Sequence, residues 1–90
     1  MEQHLSQYKI FYEVARCGNI SRAAKELYIS QPAISKAISK LEESLGIKLF
    51  SRNSRGVQLT REGAILFQHV NTAFDSIGRG ERELKRIHDF

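Results

Sequence analysis

Residues 21–46 read Ser21-Arg22-Ala23-Ala24-Lys25-Glu26-Leu27-Tyr28-Ile29-Ser30-Gln31-Pro32-Ala33-Ile34-Ser35-Lys36-Ala37-Ile38-Ser39-Lys40-Leu41-Glu42-Glu43-Ser44-Leu45-Gly46. Ser21 is a good N-cap before the strong helix formers Arg22 to Leu27, and that run stops near Tyr28 and Ile29. Ser30 is the next N-cap. Pro32, the only proline of the chain, falls in the first turn of the following helix, where its missing N–H does no harm. That helix runs to Leu45 and ends at Gly46. Two helices joined by a very short turn have the layout of a helix-turn-helix.

At about 100° per residue, Ile34, Ile38, Leu41 and Leu45 fall within a narrow arc of the second of these helices and form its buried stripe. The opposite arc carries Pro32, Ser35, Lys36, Ser39, Lys40 and, in the last turn, Glu43. Small, hydroxyl and cationic groups let a helix lie close to a phosphate-lined groove, and Lys36 is long enough to reach a base edge. Ala37 falls near the edge of the buried arc, which argues against it as a reader. Glu43 is read as solvent-facing or paired with a lysine.

Toward the C-terminus, Leu49-Phe50 and Val57-Gln58-Leu59 are short β-like runs around the turn-rich Asn53-Ser54-Arg55-Gly56, which predicts a small hairpin with Arg52 and Arg55 at its tip. Thr60 is the N-cap of a last helix, with Glu62 favourably placed in the first turn. From there Leu66, Val70, Ala73, Ile77, Gly80, Leu84 and Ile87 alternate four and three apart, a heptad seam. A helix so long and two-sided predicts a partner helix, most simply from a second copy. Gly78 and Gly80 each cost about 1 kcal/mol in a helix interior, so either two backbones approach closely there or the helix bends. The charged end of the chain reads as a boundary within a longer protein.

Toward the N-terminus, Leu5, Tyr8, Phe11, Tyr12 and Ala15 recur at three and four, the mark of a helix face, with Gly18 as the stop. A second stripe, Ile10, Val14 and Cys17, lies on another side of this helix, which predicts a second packing partner.

The 90 residues, 41% hydrophobic and 27% charged, suit one small soluble domain and leave no room for two cores. A chain this short buries only about 60–65% of its unfolded surface. With Cys17 alone it has no intramolecular disulfide, so helix packing and a second copy must supply stability. The net charge of +4 suggests a polyanionic partner. Residues 22–61 hold eight basic and three acidic side chains, residues 1–21 balance at two each, and residues 62–90 hold four basic against five acidic. The helix-turn-helix and hairpin therefore own the whole excess. No stretch is long and apolar enough for a transmembrane helix, the N-terminus lacks the order of a signal peptide, and Cys17 fits a reducing cytoplasm.

The order of these elements resembles the N-terminal DNA-binding domain of the LysR-type transcriptional regulators. The matching segments are Ser21-Arg22-Ala23-Ala24, Ser30-Gln31-Pro32-Ala33-Ile34-Ser35-Lys36, Leu41-Glu42-Glu43-Ser44-Leu45-Gly46, Leu49-Phe50-Ser51-Arg52 and Leu59-Thr60-Arg61-Glu62-Gly63. They total 26 residues and fall in order between residues 21 and 63, within a resemblance that spans residues 5 to 63. The resemblance implies a mainly α fold: a winged helix-turn-helix of three helices and a short β-hairpin over residues 1–60, then a long linker and dimerisation helix over 61–90. It also implies sequence-specific binding of double-stranded DNA at an inverted-repeat operator by a homodimer, or a tetramer at full length, in the cytoplasm at the nucleoid. In such dimers the first helix also packs against the linker helix, which would account for the stripe Ile10, Val14 and Cys17. The effector-binding domain, which senses a small molecule, is absent from this chain, and no cofactor is expected within it.

By the same resemblance, Gln31, Pro32, Ser35 and Lys36 face DNA, and with Ala33, Ser39 and Lys40 they make up the expected contact face of the recognition helix. Ser21, Arg22, Ser30, Arg52 and Arg55 lie near the DNA backbone or in the wing, and Leu66, Val70, Ala73, Ile77 and Leu84 form the dimer seam. Many members carry Gln where this chain has Ala37.

Other chemistry finds little support. Tyr8, Phe11, Tyr12 and Phe50 read as core rather than as stacking platforms for unpaired bases. His4, His69 and His88 stand far apart without a Cys or carboxylate at ligand spacing, so no metal site is expected. No phosphate-cradling glycine loop and no nucleophile–base pair can be read, which leaves no basis for an enzyme. The rival reading is a winged-helix protein-interaction module that uses the long helix as a coiled-coil adaptor.

Overall fold

Gly18, at φ +66°, donates its N–H to Val14 O at 2.8 Å and so closes the first helix. In the computed structural model, which describes residues 5–88, that helix (α1, Leu5–Cys17) is followed by α2 (Ile20–Leu27), α3 (Gln31–Leu45), β1 (Phe50–Asn53), β2 (Gly56–Leu59) and α4 (Arg61–His88). This is the element order of a winged helix-turn-helix with a long C-terminal helix. His4 and residues 89–90 lie outside the described residues.

The caps are where local chemistry is most explicit. Ser30 Oγ accepts the N–H of Ala33 at 3.2 Å, and Gly46, at φ +74°, donates to Glu42 O at 2.8 Å, so α3 starts and stops where its sequence signals it. Thr60 Oγ1 accepts the N–H of Gly63 at 3.0 Å and caps α4 as expected. The cap of α2 differs: Asn19, not Ser21, holds its start, with Oδ1 accepting the N–H of Arg22 at 3.0 Å. Starting two residues earlier brings Ile20 into the helix and against the core, which Ser21 as cap would not do. The α2–α3 turn is closed by Tyr28 in the left-handed region, φ 57° and ψ 40°, while the Ile29 N–H reaches back to Ala24 O at 3.1 Å.

Two apolar clusters flank α1. On one side Val14 meets Ala23, Ala24, Ile34 and Ile38, with Ile10 and Cys17 around them. On the other, Phe11 meets Leu41, Leu49 and Val70, with Tyr8, Tyr12, Leu66, Phe67 and Phe74 around them. Both stripes of α1 are therefore packed, except for Leu5, which is 56% exposed at the first turn, but their partners are exchanged relative to the sequence expectation. Ile10, Val14 and Cys17 face α2 and α3, whereas the Tyr8, Phe11 and Tyr12 face meets α4 of the same chain. The rings of Tyr12 and Phe67 stack at 5.8 Å between centroids, and Phe11 lies 5.4 Å from Phe50 and 6.4 Å from Phe67.

Of the stripe on α3, Ile34, Ile38 and Leu41 are buried and Leu45 is not, at 42% exposed. The chain turns away at Gly46, and Leu49 joins Leu41 in the second cluster. The hairpin is antiparallel with Phe50 opposite Leu59 and Asn53 opposite Gly56. Leu49 precedes the strand and is fully buried, and only Ser54 and Arg55 form the turn. Arg55 thus stands at the tip, while Arg52 lies within β1 opposite Val57 rather than at the tip.

Two glycines permit the hairpin to dock. A Cβ on Gly56, at φ +131°, would stand 2.6 Å from Gly18 O, and one on Gly63 would overlap Leu49 O. Beyond the hairpin, α4 runs unbroken through Gly78 and Gly80 as a single helix of 28 residues. Its seam divides. Val70, 7% exposed, and Leu66 are used by the head itself, whereas Ala73, Ile77 and Leu84 remain exposed.

Candidate nucleic-acid interface

The buried stripe of α3 fixes which side of that helix is free. Gln31, Pro32, Ala33, Lys36, Ser39 and Lys40 are exposed on the other side, Ser35 is half-buried, and Ala37 is half-buried as its edge position predicts. Lys36 and Lys40 stand four residues apart, so in the absence of an anion they repel each other by a few tenths of a kcal/mol. A polyanion laid along this face turns that repulsion into attraction.

Of the nearby carboxylates, Glu43 is exposed on the same arc of α3, while Glu13, Glu26 and Glu42 are paired elsewhere. Glu26 pairs with Arg16 at 3.6 Å, and Arg16 also bonds the buried Glu13 at 3.2 Å. Glu42 pairs with Lys48 at 3.8 Å. Among the described residues, Arg22, Lys36, Lys40, Arg52 and Arg55 form no ion pair, so the expected surplus of the middle segment is left free at the surface. Ser21 and Ser30 are exposed beside them at the starts of α2 and α3. Since Asn19 performs the capping, the Ser21 hydroxyl is not committed to the helix start.

The wing presents its arginines through local bonds. Asn53 Oδ1 accepts the N–H of Arg55 at 2.8 Å, which shapes the tip. Three anchors hold the hairpin. Val57 N–H donates to Gly18 O at 3.3 Å; Thr60 ties its far end through Leu49 O at 2.9 Å and Lys48 O at 2.7 Å; and Glu42 Oε2 accepts the N–H groups of Leu49 at 2.8 Å and Phe50 at 3.3 Å. The sequence marks Glu42 only as part of the segment Leu41-Glu42-Glu43-Ser44-Leu45-Gly46. Its actual role depends on a loop that brings residues seven and eight positions later back to its carboxylate, which helical periodicity does not report.

Elsewhere, an apolar groove of about 270 Å³ runs between the start of α1 and α4, walled by Leu5, Tyr8, Leu66, Ala73, Phe74 and Ile77. Among the described residues there is no cluster of three or more metal-ligating side chains, and no helix is long and apolar enough to cross a membrane.

Residues 5–64 match the family model for bacterial regulatory helix-turn-helix proteins of the lysR family. This chain belongs to that family. Among similar proteins, the uncharacterized HTH-type transcriptional regulator y4mQ of Sinorhizobium fredii is 42% identical over 80 residues, covering 89% of this chain and 27% of that protein. The solved complex of the BenM DNA-binding domain with catB site 1 DNA superposes with a TM-score of 0.82 at 35% identity, covering 92% of this chain and 93% of that one. The LysR-family regulator CbnR superposes with a TM-score of 0.77 at 35% identity, covering 89% of this chain and 28% of that one. The chain is thus a LysR-type helix-turn-helix DNA-binding domain, and it spans about a quarter to a third of the length of the curated relatives it matches.

Proposed function

We propose that this chain binds double-stranded DNA sequence-specifically as a homodimer, as the reading head of a LysR-type transcription regulator. One observation carries the reading: the exposed face of α3 and the wing together present cations without protein partners, in a head whose relatives include one solved on duplex DNA. In this reading residues 1–60 are the reading domain and residues 61–90 the linker and dimerisation helix. Gln31, Pro32, Ala33, Ser35, Lys36, Ser39 and Lys40 enter the major groove of each half-site. Ser21, Arg22, Ser30, Arg52 and Arg55 hold the phosphates or the adjoining minor groove. The second copy covers the apolar groove between α1 and α4 and the open seam at Ala73, Ile77 and Leu84. Inverted-repeat operators follow from a two-fold dimer. In the full-length regulator, a tetramer at the nucleoid, an effector domain bound to a small molecule acts through α4.

Selection of bound duplexes from a random pool is the direct test, and enrichment of an inverted repeat is the expected result. Lys36→Ala then costs about 1–3 kcal/mol of binding and relaxes the preference at one position of the half-site. Unchanged affinity and unchanged preference would remove α3 from the interface. Binding that ignores ionic strength favours instead the apolar docking of a protein partner on α4.

A further inference from the structure

Wing and recognition helix share apolar clusters, Leu49 with Leu41 and Phe50 and Val57 against the cluster of Ile34 and Ile38, but such contacts are non-directional and leave the angle to be set by polar bonds. Strand β2 packs on α1 and α4, and between α3 and the hairpin a cavity of about 250 Å³ opens, with Ile38, Ser39 and Glu42 on one wall and Phe50, Arg52 and Val57 on the other. Across that gap a single α3 side chain reaches the hairpin with hydrogen bonds among the described residues. It is Glu42, whose Oε2 accepts from Leu49 N–H and Phe50 N–H at the point where the chain enters β1. A carboxylate accepting two backbone N–H groups makes charge-assisted bonds, roughly twice as strong as neutral ones. The Glu42 side chain is only 11% exposed, so little water competes for it. Lys48, 82% exposed and 3.8 Å away, adds little.

We propose that Glu42 is a positioning residue for DNA binding: it sets the wing against the recognition helix so that Arg55 and Lys36 engage one duplex at the same time. The inference rests on the DNA-binding reading above. Glu42 itself touches no DNA. It acts through the N–H groups of Leu49 and Phe50, and the open cavity gives the hairpin room to swing once they are released. The anchors at Gly18 and Thr60 hold the hairpin at the ends of α1 and α4, and neither bonds α3.

A double-mutant cycle on this 90-residue chain tests it, with a selected duplex over a range of salt concentrations. Beside wild-type Glu42, Arg55→Ala weakens binding about five- to tenfold and flattens the salt slope by about one unit. In the Glu42→Ala background the same change costs less than about twofold and leaves the slope where Glu42→Ala alone put it, because the wing is already displaced. Lys36→Ala costs the same in both backgrounds. Glu42→Gln, which keeps one accepting oxygen, recovers part of the coupling and carries the cycle if Glu42→Ala unfolds. A merely structural role would reduce the active fraction and leave salt slopes unmoved. Additive losses of Glu42 and Arg55 in a protein that binds duplex overturn this inference alone. A wild type that binds no duplex overturns the DNA-binding reading and this inference with it.

Discussion

Along α4 the turns up to Phe74 and the turns beyond Asp75 carry one continuous apolar repeat in two different surroundings. In the first part Val70 is 7% exposed, with Leu66, Phe67 and Phe74 packed around the same cluster. In the second, every non-glycine residue from Asp75 to His88 is exposed, Ile77 at 54% and Leu84 at 62% among them. An isolated helix of such a length is marginal in water, so the first part is held by the head and the second needs something else to hold it. A four-and-three repeat therefore marks an apolar stripe without saying what covers it. In this molecule one stripe has two answers, the chain's own α1 and, in the function proposed above, a second copy.

The sharpest break between the two parts is expected from Phe11→Ala. Phe11 is fully buried, joins α1 to α4 and touches the rings of Phe50 and Phe67. Its truncation costs about 3–5 kcal/mol, a large share of the stability of so small a domain. Urea unfolding followed by circular dichroism reads this directly. A loss below about 1 kcal/mol would mean that the first part of α4 is not held by the second cluster.

The complementary change is Ile77→Asp with Leu84→Asp. Both residues are exposed within one chain, so the head keeps its fold. Self-association weakens by about a hundredfold or more, since two charges enter an apolar seam. The thermal midpoint of the wild type rises with protein concentration, and that of the double variant does not. Sedimentation of the double variant at the wild-type stoichiometry would place the seam elsewhere.

How much could be read from the residues alone follows the same division between pattern and partner. Ser30, Gly46 and Thr60 act as caps because capping is decided within about one turn of chain, and Ile34, Ile38 and Leu41 are buried because a helix face is decided by its period. The free face of α3 with Lys36 and Lys40 follows from the same period. What failed needed distant chain. Both stripes of α1 were legible, but which helix covers each depends on how α4 folds back. Leu45 fits the stripe by angle yet loses its place to Leu49 across a loop, and Glu42 finds its partners across that same loop. At the start of α2 two capping side chains compete two residues apart, and the burial of Ile20 decides between them.

That competition yields the smallest of the expected effects and confines it to the head. Asn19→Ala removes the acceptor for the Arg22 N–H and costs about 1 kcal/mol of stability. Ser21→Ala replaces a first-turn serine, whose hydroxyl caps nothing, by a better helix former, and stability holds or rises by up to about 0.5 kcal/mol. In DNA binding the order reverses, because the uncommitted Ser21 hydroxyl is the one that can donate to a phosphate. Ser21→Ala weakens binding to all sequences with no change in salt slope, since a neutral donor displaces no counterion. Amide exchange between Asp75 and His88 stays at wild-type rates in both variants, because α2 and its cap stabilise only the head. Faster exchange there on loss of Asn19 would show that the two parts of α4 unfold as one unit, and would end the distinction between them.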